Sequence, residues 1–129
     1  MPDSIIPAEW VAKAQADLRS AGVLRSASPP LLEQAVYFAA QSAEKSLKAL
    51  LIKHGVPYRS FRHDVLGLLT EASAIEPVLS AFELRLANFN SFNVETRYPI
   101  SSPFTVTEAE IDDAISTAQE LIAAISALV

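Results

Sequence analysis

The chain of 129 residues contains no cysteine, which excludes disulfides and thiolate-bound metal sites. Its three glycines, Gly22, Gly55 and Gly67, stand too far apart to form a phosphate loop or a nucleophile elbow. Two histidines, His54 and His63, fall in no HExxH or related spacing and cannot alone complete a structural metal site. No metal and no cofactor is therefore expected. No apolar run approaches the roughly 20 residues of a membrane span, and "MPDSIIPAEW" carries an acid where a signal peptide needs a basic region. A soluble cytoplasmic protein with no membrane role is the expectation. No stretch alternates with the period of two that a half-buried strand requires, and no internal repeat or low-complexity tract is visible.

What is present is apolar and helix-forming. Hydrophobic residues make up 50% of the chain and charged ones 19%, a globular balance rather than a disordered one. The length suits one domain spanning residues 1–129, since chains of this size bury roughly 68% of their unfolded surface. A net charge of −5 opposes diffuse nucleic-acid binding, but the charge is unevenly placed. Lys45, Lys48, Lys53, Arg59 and Arg62 follow one another with no acid between them, whereas Glu108, Glu110, Asp112, Asp113 and Glu120 occupy a C-terminal segment without a base. Two readings stay open: the segments neutralise one another, within a monomer or across a dimer, or the basic one forms an anion-binding face.

Helical periodicity runs through most of the sequence. Pro7 suits a first turn, and "AEWVAKAQADLRSA" puts Trp10, Ala14 and Leu18 on one face of a helix expected to end at Gly22. After "SASPP", with Ser28 as the expected cap, Val36, Ala39, Ala43, Leu47, Leu50 and Leu51 trace the core face of a long helix that stops at Gly55, with His54 at its C-terminal turn. Tyr37, Gln41, Lys45 and Lys48 recur on another side of it, which reads as polar and basic. "HDVLGLLTEASAI" predicts a short third helix through Val65, Leu68, Leu69 and Ala72, weakened by Gly67. Pro77 opens a fourth, with Leu79, Phe82, Leu86 and Phe89 as its stripe and an end between Asn90 and Thr96. Thr107 and Glu110 predict a capping box for a last helix whose core face is Ile111, Ile115, Ala118, Ile122 and Ile125. The predicted fold is all-α, an antiparallel, up-and-down bundle of four to five helices.

The stretch "NVETRYPI" interrupts this pattern, because Pro99 biases Tyr98 away from the α region. It leaves an arginine and a tyrosine close behind a helix end. Arg97 presents a planar fork suited to phosphate or carboxylate, and Tyr98 offers a stacking face or a hydroxyl. The structural alternative is an Arg97 salt bridge to an acid, with Tyr98 plugging the end of the bundle. His63, beside Asp64 and near Arg59 and Arg62, is either a polar ligand contact or an ordinary helix-start residue.

The segments "EWVAKAQADLRSA", "AVYFAAQSAEKSLKALLIKHG", "RHDVLGLL" and "ETRYP", in that order, resemble the HEPN domain family over nearly the whole chain. "AEKSLKALL" and "RYP" are the specific parts. The resemblance implies an all-α bundle, usually a homodimer, associated with nucleotides or RNA and often encoded with a minimal nucleotidyltransferase partner in prokaryotic toxin–antitoxin pairs. Ribonucleases of this family use an arginine followed, after four to six residues, by a histidine. Here Ser102, Pro103 and Phe104 stand at those positions after Arg97, and no histidine follows His63. A missing proton-transfer group typically lowers a rate by about 10²–10⁴-fold. The expectation is a noncatalytic HEPN domain that binds a nucleotide or RNA phosphate through Arg97 and Tyr98, with Asn93, Lys45, Lys48 and His63 as further contacts. The alternatives are an endoribonuclease with a degenerate motif built on His63, and a protein–protein interaction module without a ligand.

Overall fold

A computed structural model describes residues 2–58, 63–95 and 105–129, with the side chains of 93–95 not included. All regular structure among these residues is helical: α1 (Pro7–Ser26), α2 (Leu32–Lys53), α3 (Val65–Ile75), a 3-10 helix (Pro77–Phe82), α4 (Phe89–Glu95) and α5 (Glu108–Ser126). The chain is the all-α bundle that its apolar stripes predict. The short connection between α1 and α2 makes them an antiparallel hairpin. Helix α2 is the hub, packing on α1, α5, α3 and α4.

The reason lies in its sequence. Val36, Ala39, Ala43, Leu47, Leu50 and Leu51 are completely buried, and Ala35, Ala40 and Ala49 extend the burial to further faces. Small alanines let neighbouring backbones approach, while each buried leucine contributes about 1.5–3 kcal/mol. At its C-terminus Gly55 adopts φ +68, the left-handed conformation in which a helix commonly ends. Leu68, Leu69 and Ala72 of α3 and Ile111, Leu121 and Ile125 of α5 close the core from the other sides. Thr107 and Glu110 form the expected reciprocal capping box at the start of α5.

Several boundaries differ from the sequence pattern. Helix α1 runs past Gly22 to Ser26, because an interior glycine weakens a helix by only about 1 kcal/mol and Ala21 behind it is fully buried. Its buried face is Val11, Ala14 and Ala21, so Trp10 and Leu18 lie at the margins rather than in the middle of the stripe. Helix α2 starts at Leu32 without a side-chain cap, beyond the Ser28–Pro29 pair. The fourth stripe is buried as expected at Leu79, Leu86 and Phe89, but Pro77–Phe82 winds as a 3-10 helix. There the Ser80 hydroxyl donates to the Pro77 carbonyl at 2.8 Å, competing for an acceptor that an α-helical ladder would use.

Candidate functional site

The long apolar face of α2 carries one carboxylate, Glu44, which is 2% exposed. Ala40, Leu47 and Leu51, all fully buried, flank it at helical spacing, so the helix that fills the core also draws Glu44 inward. A buried carboxylate requires partners, and two are present. The Lys48 ammonium, one turn along the same helix, lies 3.6 Å from Glu44 Oε2. His63 Nδ1, just ahead of α3, lies 3.0 Å from Glu44 Oε1. An ionised carboxylate only accepts, so the imidazole donates from Nδ1.

The cluster spreads from there to the other helices. Lys48 Nζ lies 5.8 Å from the ring centroid of Trp10 in α1 and 5.5 Å from that of Tyr58, within cation–π range. Those two rings meet edge to face at 5.5 Å. The Trp10 indole N–H donates to the Ser4 carbonyl at 2.8 Å, and the Tyr58 hydroxyl donates to Asp3 at 2.9 Å. On the opposite side, Asp64 caps α3 by accepting from the Gly67 N–H at 3.0 Å and also accepts from Asn90 Nδ2 at 2.9 Å. Asn90 Oδ1 in turn accepts from the Val65 N–H at 2.7 Å. Polar contacts thus link Trp10, Lys48, Glu44 and His63, and Asp64, the next residue in sequence, begins a second set that reaches Asn90 at the start of α4.

Of the residues singled out in the sequence, Lys48 and His63 meet on Glu44. Lys45 does not join them; it crosses to α1 and donates to Asp17 at 2.5 Å. The side chains of Lys45 and Lys48 are 27% and 13% exposed, so this side of α2 is a compensated, half-buried seam rather than an open basic face. Asn93 lies in α4 with its side chain outside the description, and Arg59, Arg62, Arg97 and Tyr98 lie outside the described residues.

Among the described residues, the acidic last helix does not meet the basic segment through its carboxylates. Arg25 of α1 forks onto Asp112, at 2.8 Å from Nε and 3.3 Å from Nη2, and reaches Glu108 at 3.3 Å. Arg85 pairs with Glu120. The hydrogen bond from Arg25 holds the Asp112 carboxyl below the usual carboxylate range, and the same bond raises Arg25. Lys53 donates to the Leu128 carbonyl, capping the end of the chain rather than facing a ligand. Among the described residues no group of three or more acidic or histidine side chains is placed to hold a metal, and no helix is long and apolar enough to cross a membrane.

The sequence pattern passed over Glu44, Asp17, Trp10 and Asn90 as site residues. Glu44 was legible: a carboxylate bracketed by core positions and four residues before a lysine is a buried pair in waiting. Asp17 and Asn90 act across distant helices, and no local spacing announces them.

The architecture defines a helical-bundle protein in which one buried carboxylate, Glu44, is met by part-exposed polar side chains from the elements around α2. The family model for the HEPN domain matches residues 7–128, and the chain belongs to that family, a nucleotide- and RNA-related class of helical domain. No curated protein and no solved structure matches the chain.

Proposed function

We propose that this HEPN chain binds a nucleotide or an RNA phosphate without cleaving it, as a homodimer working beside a minimal nucleotidyltransferase. The observation that carries the reading is the convergence at Glu44. The helix bearing "AEKSLKALL" meets the head of the segment "RHDVLGLL" there through His63, and the adjoining Asp64 and Val65 bond to Asn90 in the helix leading into "ETRYP". The His63 side chain remains 47% exposed, so a ligand can reach it. Asn90 anchors the start of the helix that delivers the chain to Arg97 and Tyr98. Arg97 supplies the bidentate phosphate contact and Tyr98 a stacking face. Lys48 and Lys45, paired with Glu44 and Asp17, tune the local field and hold the scaffold. The noncatalytic part rests on Ser102, Pro103 and Phe104 at the positions where the family ribonucleases carry histidine.

The test is a titration with ATP and with a short single-stranded RNA at about physiological salt, where diffuse attraction is screened. Wild type and Arg97→Ala are compared, in chelator, with the RNA recovered and sized. Saturable binding weakened about tenfold or more in the variant, with intact RNA, is expected. Equal affinities would remove Arg97 from the site. Absence of any binding would favour an interaction module instead.

One observation favours a second reading. A buried carboxylate on Nδ1 fixes the tautomer and orientation of an imidazole, the arrangement a general base uses, and Glu44 does this for His63. A metal-independent endoribonuclease built on His63 predicts RNA shortening in chelator that His63→Ala abolishes. Cleavage surviving that change would exclude His63 as its base.

A further inference from the structure

A groove of about 760 Å³ runs along the outer flank of α1, lined by Ser4, Trp10, Ala12, Lys13, Ala16 and, from α2, Lys45. Its volume falls among those of small-molecule sites, about 300–1,000 Å³. Ala12 and Ala16 sit one turn apart at exposed positions, and their small side chains keep the floor open. Trp10 is a preformed wall, its indole locked by the Ser4 carbonyl at 2.8 Å and by the edge of Tyr58. A fixed aromatic surface loses little freedom when a flat ligand lies against it.

The charges around the groove narrow the ligand. Lys13 has no ion-pair partner among the described residues. Lys45 commits one of its three donors to Asp17. Glu9 shares the wall, and its carboxylate already accepts from the Ser4 hydroxyl at 2.7 Å. The Glu9 and Asp17 carboxylates balance the two ammonium groups, so the uncommitted donors of Lys13 and Lys45 can hold one carboxylate by direct hydrogen bonds, while a multiply charged group finds no surplus positive charge. We propose that the groove binds a small flat aromatic ring bearing one carboxylate: the ring lies against Trp10 and the alanine floor, and the carboxylate takes Lys13 and a free donor of Lys45. The described lining of the groove does not include Arg97, and the proposal does not rest on the phosphate contact proposed for that residue.

Trp10 is the chain's only tryptophan, so its fluorescence reports the groove directly. Benzoate and nicotinate are titrated into the full chain, with benzamide as the ring without charge, acetate as the charge without ring, and AMP as a more highly charged ring. The expected result is a saturable change with benzoate or nicotinate, at least about tenfold weaker with the three controls. Lys13→Ala weakens it about tenfold, and Ala16→Phe, which fills the groove from an exposed position, abolishes it while the helical circular dichroism is unchanged. Benzamide binding as tightly as benzoate, an unaltered Lys13→Ala titration, or no saturable response in wild type would each overturn the proposal. A response abolished by Arg97→Ala but indifferent to Ala16→Phe would overturn the groove and leave the phosphate reading standing.

Discussion

Replacing Glu44 by glutamine keeps the side-chain shape and deletes the charge on which the cluster is built. The carboxylate lost is 3% exposed and serves both Lys48 and His63. Removing one partner of a buried ion pair costs about 3–5 kcal/mol, but three features lower the figure here. The Lys48–Glu44 separation is 3.6 Å, longer than a good hydrogen bond. Lys48 retains some exposure and can turn its ammonium toward water, and the glutamine oxygen can still accept from His63. The expected loss for Glu44→Gln is therefore about 2 kcal/mol, or a fall in Tm of roughly 6–10 °C for a chain of this size. Lys48→Met removes the ammonium that Glu44 would otherwise leave stranded, so the double variant is expected to lose less than the sum of the singles, with a coupling of about 1–2 kcal/mol. Urea unfolding followed by Trp10 fluorescence and by helical circular dichroism measures all four proteins. Trp10 lies against Lys48 and reads the cluster, while the dichroism reads the bundle. A Glu44→Gln cost below about 0.5 kcal/mol, within the range of ordinary surface substitutions, or strict additivity of the pair, would refute the claim that Glu44 and Lys48 form one buried unit.

Three further outcomes follow from the geometry. Gly22 sits inside α1 with nothing within 4 Å of an added Cβ, whereas Gly55 has φ +68; in thermal melts Gly22→Ala should gain about 0.5–1 kcal/mol and Gly55→Ala should lose about 1 kcal/mol. The Asp112 carboxyl is lowered chiefly by the hydrogen bond from Arg25, so its stabilisation is complete above the usual carboxyl titration near about pH 3.9 and is lost as pH falls through its lower folded value. Arg25, being raised, keeps its charge throughout that window, and Asp112→Asn should flatten the acid limb of stability against pH; equal slopes for both proteins would contradict this. Asn90→Ala removes the acceptor of the Val65 N–H and a donor to Asp64; a loss of about 1–3 kcal/mol and faster hydrogen exchange at the Val65 amide are expected.

How much of this was legible in the sequence depends on whether a local pattern carried the information. The faces of α2 and α5 were readable because leucine, isoleucine and alanine recur at helical spacing there, and the box of Thr107 and Glu110 closes within one turn. Gly22 misled because a glycine stops a helix only when tertiary packing does not continue past it, and Ala21 supplies that packing. The 3-10 winding after Pro77 was hidden for a related reason: the stripe Leu79, Leu86, Phe89 is compatible with either helix type, and the choice is made by backbone hydrogen bonds and Ser80.

The site separates along the same line. Lys45 and Lys48 share one helix and one sign of charge, and spacing alone reads them as one basic surface. The fold sends them to different acids. Lys45 reaches Asp17 across the α1–α2 hairpin, a pairing that exists only once the two helices are packed, while Lys48 turns to Glu44, which the surrounding leucines have carried inside. The lysine run therefore stabilises the seam first, and the proposed phosphate contact rests on Arg97 rather than on these two lysines. That is why the Arg97→Ala titration, and not a lysine scan of α2, discriminates among the functional readings.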